Sequence, residues 1–215
     1  MKKICVRIGA ILMLFAMIAS DGALLIAIYY LSAALHEGGH IVAARKLGIG
    51  IKEVKIDFTG VRICTDNEIS SYTNELILAA AGPFVNLVSV TLAICFFSVL
   101  GIAPARVADA VLVFFDGEAN LVGAIGFFAA SSVLQGGINL LPINTLDGGR
   151  MLFCATALLF GERAACVVIK ITSFAAAFVL WTVSLYLLLK VSSGLGILVF
   201  SVCIFLSTSN YRKEK

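Results

Sequence analysis

Charge is scarce in this chain: 13% of its residues are Asp, Glu, Lys or Arg, against about 25% in ordinary soluble domains. Histidine is scarcer still, with two in 215 residues, and there are three prolines. Six cysteines, at 5, 64, 95, 154, 166 and 203, never fall into Cys-x-x-Cys spacing, which removes the basis for a cysteine metal knuckle or a dithiol redox motif. Most lie in apolar stretches, where cysteine behaves as a small hydrophobe. No phosphate-binding glycine loop and no basic patch occurs, so nucleotide and nucleic-acid partners are not expected. What the chain has instead is 60% hydrophobic residues and a mean hydropathy of +1.04. Those values describe a polytopic membrane protein with little room for a separate soluble domain.

The apolar runs predict an all-α fold of about six transmembrane helices. They extend from about Ile4 to Ser20, Gly22 to Ala44, Glu75 to Leu100, Leu121 to Leu141, Ala164 to Leu189 and Val191 to Ser209. Met151 to Phe160 is apolar but too short to cross, and reads as a re-entrant or broken-helix piece belonging with the fourth span. Between the second and third spans the apolar period falls to two. Val54, Ile56 and Phe58 alternate with Lys55 and Asp57, Thr59-Gly60 offers a turn, and Val61 and Ile63 flank Arg62. A short membrane-associated β-hairpin is expected there, either an ordinary surface hairpin or an exposed edge able to hold an extended peptide by strand addition.

An amino terminus in the cytosol places Lys2, Lys3, Arg45, Lys46, Lys52, Lys55, Arg62, Arg150, Arg163, Arg212, Lys213 and Lys215 on the cytosolic side. Arg106 and Lys190 fall outside, and the loop expected after the third span carries Asp109, Asp116 and Glu118. This asymmetry favours both termini inside. The first twenty residues also have the basic start and apolar core of a signal peptide, whose removal would leave the later spans oriented as before.

Both histidines, His36 and His40, stand in the second run with Glu37 between them. Positions i and i+4 share a helix face, so His-x-x-x-His aims two imidazoles at one point, and the glutamate after the first is placed to contact water on a metal. Histidines in a span also hydrogen-bond across helices without any metal. A buried carboxylate costs at least about 2.5 kcal/mol on insertion scales, which makes an unused Glu37 expensive and favours a zinc site. Catalytic zinc takes three protein ligands and leaves a position open, and no third histidine exists. Asp147 stands out among the acidic residues because it lies in Asn139-Leu-Leu-Pro-Ile-Asn-Thr-Leu-Asp-Gly-Gly149, where proline and paired glycines break the helix. Irregular backbone at membrane depth is tolerated where protein buries it or where it lines a polar cavity. The plain reading of the same segment is a cytosolic turn carrying a solvated aspartate.

Three segments together, HEGGH at 36–40, AAGPFVN at 80–86 and NLLPINTLDGG at 139–149, resemble the HExxH, Gly-Pro-x-x-Asn and Asn/Pro-rich LDG motifs of the site-2 protease family of intramembrane zinc metalloproteases. The compact layout is most similar to the bacterial sporulation branch, whose known member activates a sigma-factor precursor. The resemblance implies that His36, His40 and Asp147 hold Zn2+, that Glu37 is general base and acid, and that the enzyme cleaves a transmembrane or membrane-adjacent segment near the cytosolic face. Asn86 and Asn139 would contact the substrate backbone or a developing oxyanion, or else hold helices together. Gly82-Pro83 is expected to kink the third span.

Asn144 departs from the family, which usually has proline or an apolar residue there. Residues 1–215 read as one intramembrane domain without PDZ or CBS modules, so control is expected from other membrane proteins or from substrate supply. The implied setting is the bacterial cytoplasmic membrane, with a membrane-protein substrate and the bilayer as partners and no nucleic acid. The alternative is a non-proteolytic membrane protein that binds zinc or transmembrane segments. As a zinc carrier it would need a polar path to the far side, and Gly22 to Leu35 offers Ser32 and two tyrosines.

Overall fold

In the computed structural model the usual distribution of side chains is inverted. Ser32, Ser131, Ser132, Ser173, Asn86 and His36 are buried, while Leu92, Ile94, Val99, Ile171 and Phe174 are more than half exposed. Apolar surface on this scale would drive aggregation in water, whereas in a bilayer it meets hydrocarbon and the small and polar residues pack helix against helix. The outward hydroxyls obey the same constraint. Thr91 donates to the Leu87 carbonyl at 2.8 Å and Thr182 to the Phe178 carbonyl at 2.8 Å, so neither needs water. The chain is a multi-pass membrane protein.

The structure describes residues 3–6, 23–57, 60–65 and 71–191. Six helices lie among them: α1 (Ala23–Lys46), α2 (Tyr72–Val99), α3 (Pro104–Phe115), α4 (Leu121–Asn139), α5 (Asp147–Phe160) and α6 (Glu162–Val191). Three stretches, Tyr72–Val99, Leu121–Asn139 and Glu162–Val183, are long and apolar enough to cross a membrane. At 24 residues, α1 reaches about 36 Å at 1.5 Å per residue, with His36 and Glu37 near its middle. Helices α2, α4 and α6 match the third to fifth expected spans, and α1 is the helix where the second was expected. The sixth, beyond Val191, lies outside the described residues.

Two expectations are corrected. The first span was to start at Ile4, yet Lys3–Val6 form a strand, β1; a short apolar run fits either state, and Ile and Val favour the extended one. Residues 7–22 lie outside the described residues. The stretch expected to be an external loop contains α3. Pro104 starts it, where a missing N–H costs nothing, and Val107, Val111 and Phe114 recur at helical spacing. Phe114 is buried, and the Phe115 ring meets Phe127 of α4 edge-on at 5.2 Å. Helix α4 begins at an Asn120 cap, whose Oδ1 accepts from the Gly123 N–H at 2.5 Å.

Strands β2 (Ile51–Asp57) and β3 (Gly60–Thr65) pair antiparallel, with Val54 opposite Ile63 and Ile56 opposite Val61, and β1 adds to β2 in parallel. Phe58 and Thr59, on which the expected reversal rests, lie outside the described residues.

The helices and strands fall into two units. The first comprises residues 1–68 and 81–137, with the sheet, α1, most of α2, α3 and most of α4; the second comprises 69–80 and 138–215, with the start of α2, the loop after α4, α5 and α6. In the first, the Ser32 hydroxyl lies 2.9 Å from Ser132 Oγ and 3.1 Å from Gln135 Oε1, joining α1 to α4 through a buried polar knot. In the second, Met151–Phe160, expected as a re-entrant piece beside the fourth span, is the body of α5 and packs on α6. An ion pair between Arg150 and Glu75 at 3.4 Å ties α5 to the start of α2.

Candidate metal centre

His36 and His40 are four positions apart on the helix, so their rings stand over one another on the same side of α1. The ring centroids are 4.9 Å apart with planes at 78°, and the two Nε2 atoms face each other at 3.3 Å. Both rings are buried, and Glu37 is partly so. One ligand atom from each of His36, Glu37 and His40 lies within 4.8 Å of the others.

Geometry tests whether these residues suit zinc. Two nitrogens at about 2.0–2.1 Å from a tetrahedral ion stand about 3.3–3.4 Å apart, which is the observed separation of the Nε2 atoms. A second feature agrees. At Gly82, on α2, a Cβ atom would meet His36 Nε2 at 2.6 Å and would also run into His40 Nε2. The backbone of α2 therefore packs directly against both nitrogens and leaves no room for a side chain there. Two buried imidazole nitrogens at this separation, beside a carboxylate, fit a zinc ion.

The close approach of α2 depends on glycine in α1 as well. At Gly39 a Cβ would come within 2.6 Å of the Ala81 carbonyl oxygen and 2.8 Å of Val85 Cγ2. Gly38, its neighbour, faces open space. The second x of HExxH thus has a steric job that the first does not. Gly82 and Pro83, where a kink is expected, lie inside α2, and Gly82 packs against the histidine pair.

Asn86 lies one turn beyond Gly82 on α2, and its Nδ2 is 3.1 Å from His36 Nδ1, the ring nitrogen turned away from His40. Its carboxamide is 3% exposed.

Asp147 and Asn139 belong to the second unit, where Asn139 closes α4 and Asp147 opens α5. A carboxylate in the first turn of a helix is favoured by the dipole. The segment between them is tightly folded, with the Ile143 N–H bonded to the Leu141 carbonyl at 2.7 Å and the Leu146 N–H to the Ile143 carbonyl at 2.8 Å. Side chains at Gly148 and Gly149 would overlap the backbone of Leu140 and Ile143, which accounts for the paired glycines after Asp147. Ser173 of α6, hidden in an apolar run, clamps the loop: its Oγ accepts from the Asn144 N–H at 2.9 Å and donates to the Pro142 carbonyl at 3.4 Å. Replacing Ser173 by Ala leaves that N–H without its bond, and we expect a loss of about 1–3 kcal/mol, read as a lower midpoint of thermal unfolding in detergent. An unchanged midpoint would show that the clamp carries no stability.

No family model matches the chain. It is 28% identical over 130 residues to a zinc metalloprotease of Methanocaldococcus jannaschii, a match that covers 60% of this chain and about a third of the length of that relative. Among solved structures, the site-2 protease from the same organism superposes with a TM-score of 0.59 and 22% identity, over 96% of this chain and 89% of that one. The chain shares that fold.

Proposed function

We propose that this protein is a zinc-dependent intramembrane endopeptidase of the site-2 type. The observation that carries the reading is the 3.3 Å approach of the two Nε2 atoms beside Glu37 in a chain of site-2 protease fold. His36 and His40 would hold the ion, with Asp147 as the third ligand. Zinc supplies a Lewis acid that polarises a peptide carbonyl and brings the pKa of water down to about 7. Glu37 takes the proton of the attacking water and delivers it to the leaving amine. Asn139 contacts the substrate backbone or the oxyanion that develops at its carbonyl. The substrate must open its own helix first, since helical amides are bonded and shielded. The antiparallel strands between α1 and α2 offer an edge on which the opened segment could lie extended.

The substrate class we propose is a membrane protein cut near its cytosolic face, with both termini of the protease in the cytosol and the released fragment a regulator such as a sigma factor. Lys and Arg placement supports this orientation. The test is zinc per chain in the detergent-purified protein, wild type and Asp147→Ala, with cleavage of a transmembrane test substrate alongside. We expect about one zinc in the wild type, weaker retention in Asp147→Ala and loss of cleavage. Wild-type protein free of zinc after metal supplementation would end the reading, and full zinc affinity in Asp147→Ala would remove Asp147 from the ligand set.

A further inference from the structure

We infer that Asn86 is a positioning residue that fixes the tautomer of His36, its side-chain oxygen accepting the Nδ1–H so that the Nε2 lone pair is directed at the metal. This deepens the zinc reading and rests on it.

The contact is well placed for the task. The Asn86 carboxamide stands 3.1 Å from His36 Nδ1, while His36 Nε2 faces His40 Nε2 at 3.3 Å, so the two ends of one imidazole meet two different partners. With the amide nitrogen toward Nδ1, Asn86 would donate and Nδ1 would accept. The ring proton would then sit on Nε2, in the space where the ion belongs. Oxygen and nitrogen of a carboxamide exchange on a half-turn of the terminal torsion, and the hydrogen-bond chemistry decides between them. A metal-ligating histidine donates its other N–H to an acceptor, which orients the ring and raises its basicity. The amide oxygen toward His36 is the arrangement consistent with zinc.

The side chain is held for this role from the opposite side. At Gly136 of α4 a Cβ would come within 3.3 Å of both the Cβ and Nδ2 of Asn86, so the small residue there makes the seat of the carboxamide. Burial removes water as a competing acceptor. Simple helix-joining would place the amide on a backbone carbonyl or another surface side chain; here it meets the nitrogen at the back of a candidate ligand. In the three-segment pattern the final Asn of AAGPFVN is thereby tied to the first His of HEGGH.

Two measurements on the full chain test the inference. The first is the 15N spectrum of zinc-free protein labelled at histidine, kept at a pH where the rings are neutral; with two histidines in the chain, His40→Ala assigns the remaining signal. We expect His36 in both samples to carry its proton on Nδ1. A proton on Nε2 in the wild type overturns the inference, and no substitution at Asn86 is needed to learn it. The second is zinc affinity by chelator competition for wild type, Asn86→Ala and Asn86→Asp. Loss of an acceptor behind a ligating histidine lowers affinity roughly 10–100-fold, which is the expectation for Asn86→Ala, whereas the Asp carboxylate accepts the same proton and keeps wild-type affinity. Equal affinity in wild type and Asn86→Ala, or equal loss in Ala and Asp variants, overturns the positioning role while leaving the zinc site standing. Wild-type protein that binds no zinc instead overturns the metalloprotease reading itself.

Discussion

Glu37→Gln is expected to bind zinc as the wild type does and to lose cleavage by about 100-fold to 10,000-fold, the range over which a positioned general base contributes. Gln has the size of Glu and keeps a carbonyl oxygen, so the helix, the histidine pair and the group of donor atoms within 4.8 Å stay as they are. What it lacks is the capacity to take a proton from water and hand it to an amine. The variant therefore divides the readings of the site. A zinc carrier or a scaffold for transmembrane segments would keep its transport or binding signal in Glu37→Gln, since neither needs a base. A protease would keep its zinc and stop cutting. The check is cleavage of a transmembrane substrate in detergent or liposomes with zinc measured on the same samples. Undiminished cleavage would show that Glu37 is not the proton acceptor.

Much of the site was legible because its key spacing is local. His36, Glu37 and His40 are ordered by the helical period, which a sequence displays directly, and the structure brings their donor atoms together as that period requires. The break at Asn139 to Gly149 was legible for a similar reason: proline and paired glycines mark irregular backbone, and the loop lies there. Other features depended on neighbours far along the chain. Gly82 reads locally as a helix weakener beside proline, while its observed use is to admit two histidines from another helix. Ser173 looks like any small residue of a transmembrane helix until the loop at Pro142 and Asn144 is seen on its hydroxyl. Helix α3 was missed for another reason. Its acidic residues and short length read as an external loop, and the buried stripe through Phe114 becomes visible once α4 is there to cover it. The strand at Lys3–Val6 shows the ambiguity of short apolar runs, where pairing with β2 decides what propensity leaves open.

The largest loss of zinc is expected from the smallest substitution, Gly82→Ala. A methyl group there would stand 2.6 Å from His36 Nε2 and overlap His40 Nε2, so that the rings must move apart to admit it. The position has backbone on one side and two buried rings on the other, and moving either ring separates the pair from the 3.3 Å spacing that a tetrahedral ion needs. Zinc binding should fall by more than about 100-fold, since the steric block acts on both histidine ligands at once where loss of one outer partner costs roughly 10–100-fold. Cleavage should vanish with it. Loss of the fold is a poor explanation in advance, because alanine is the better helix former by about 1 kcal/mol and the displaced atoms are side-chain ends. Gly38→Ala supplies the control: it puts a methyl group on the same motif where nothing lies within 4 Å, and it should leave zinc, cleavage and unfolding midpoint unchanged. Zinc titration and thermal unfolding of the metal-free proteins, run on wild type and both variants, separate the outcomes. A folded Gly82→Ala protein without zinc would show that the metal needs the two rings where the α2 backbone now lets them stand. Wild-type affinity in that variant would mean that the two imidazoles do not meet a metal there.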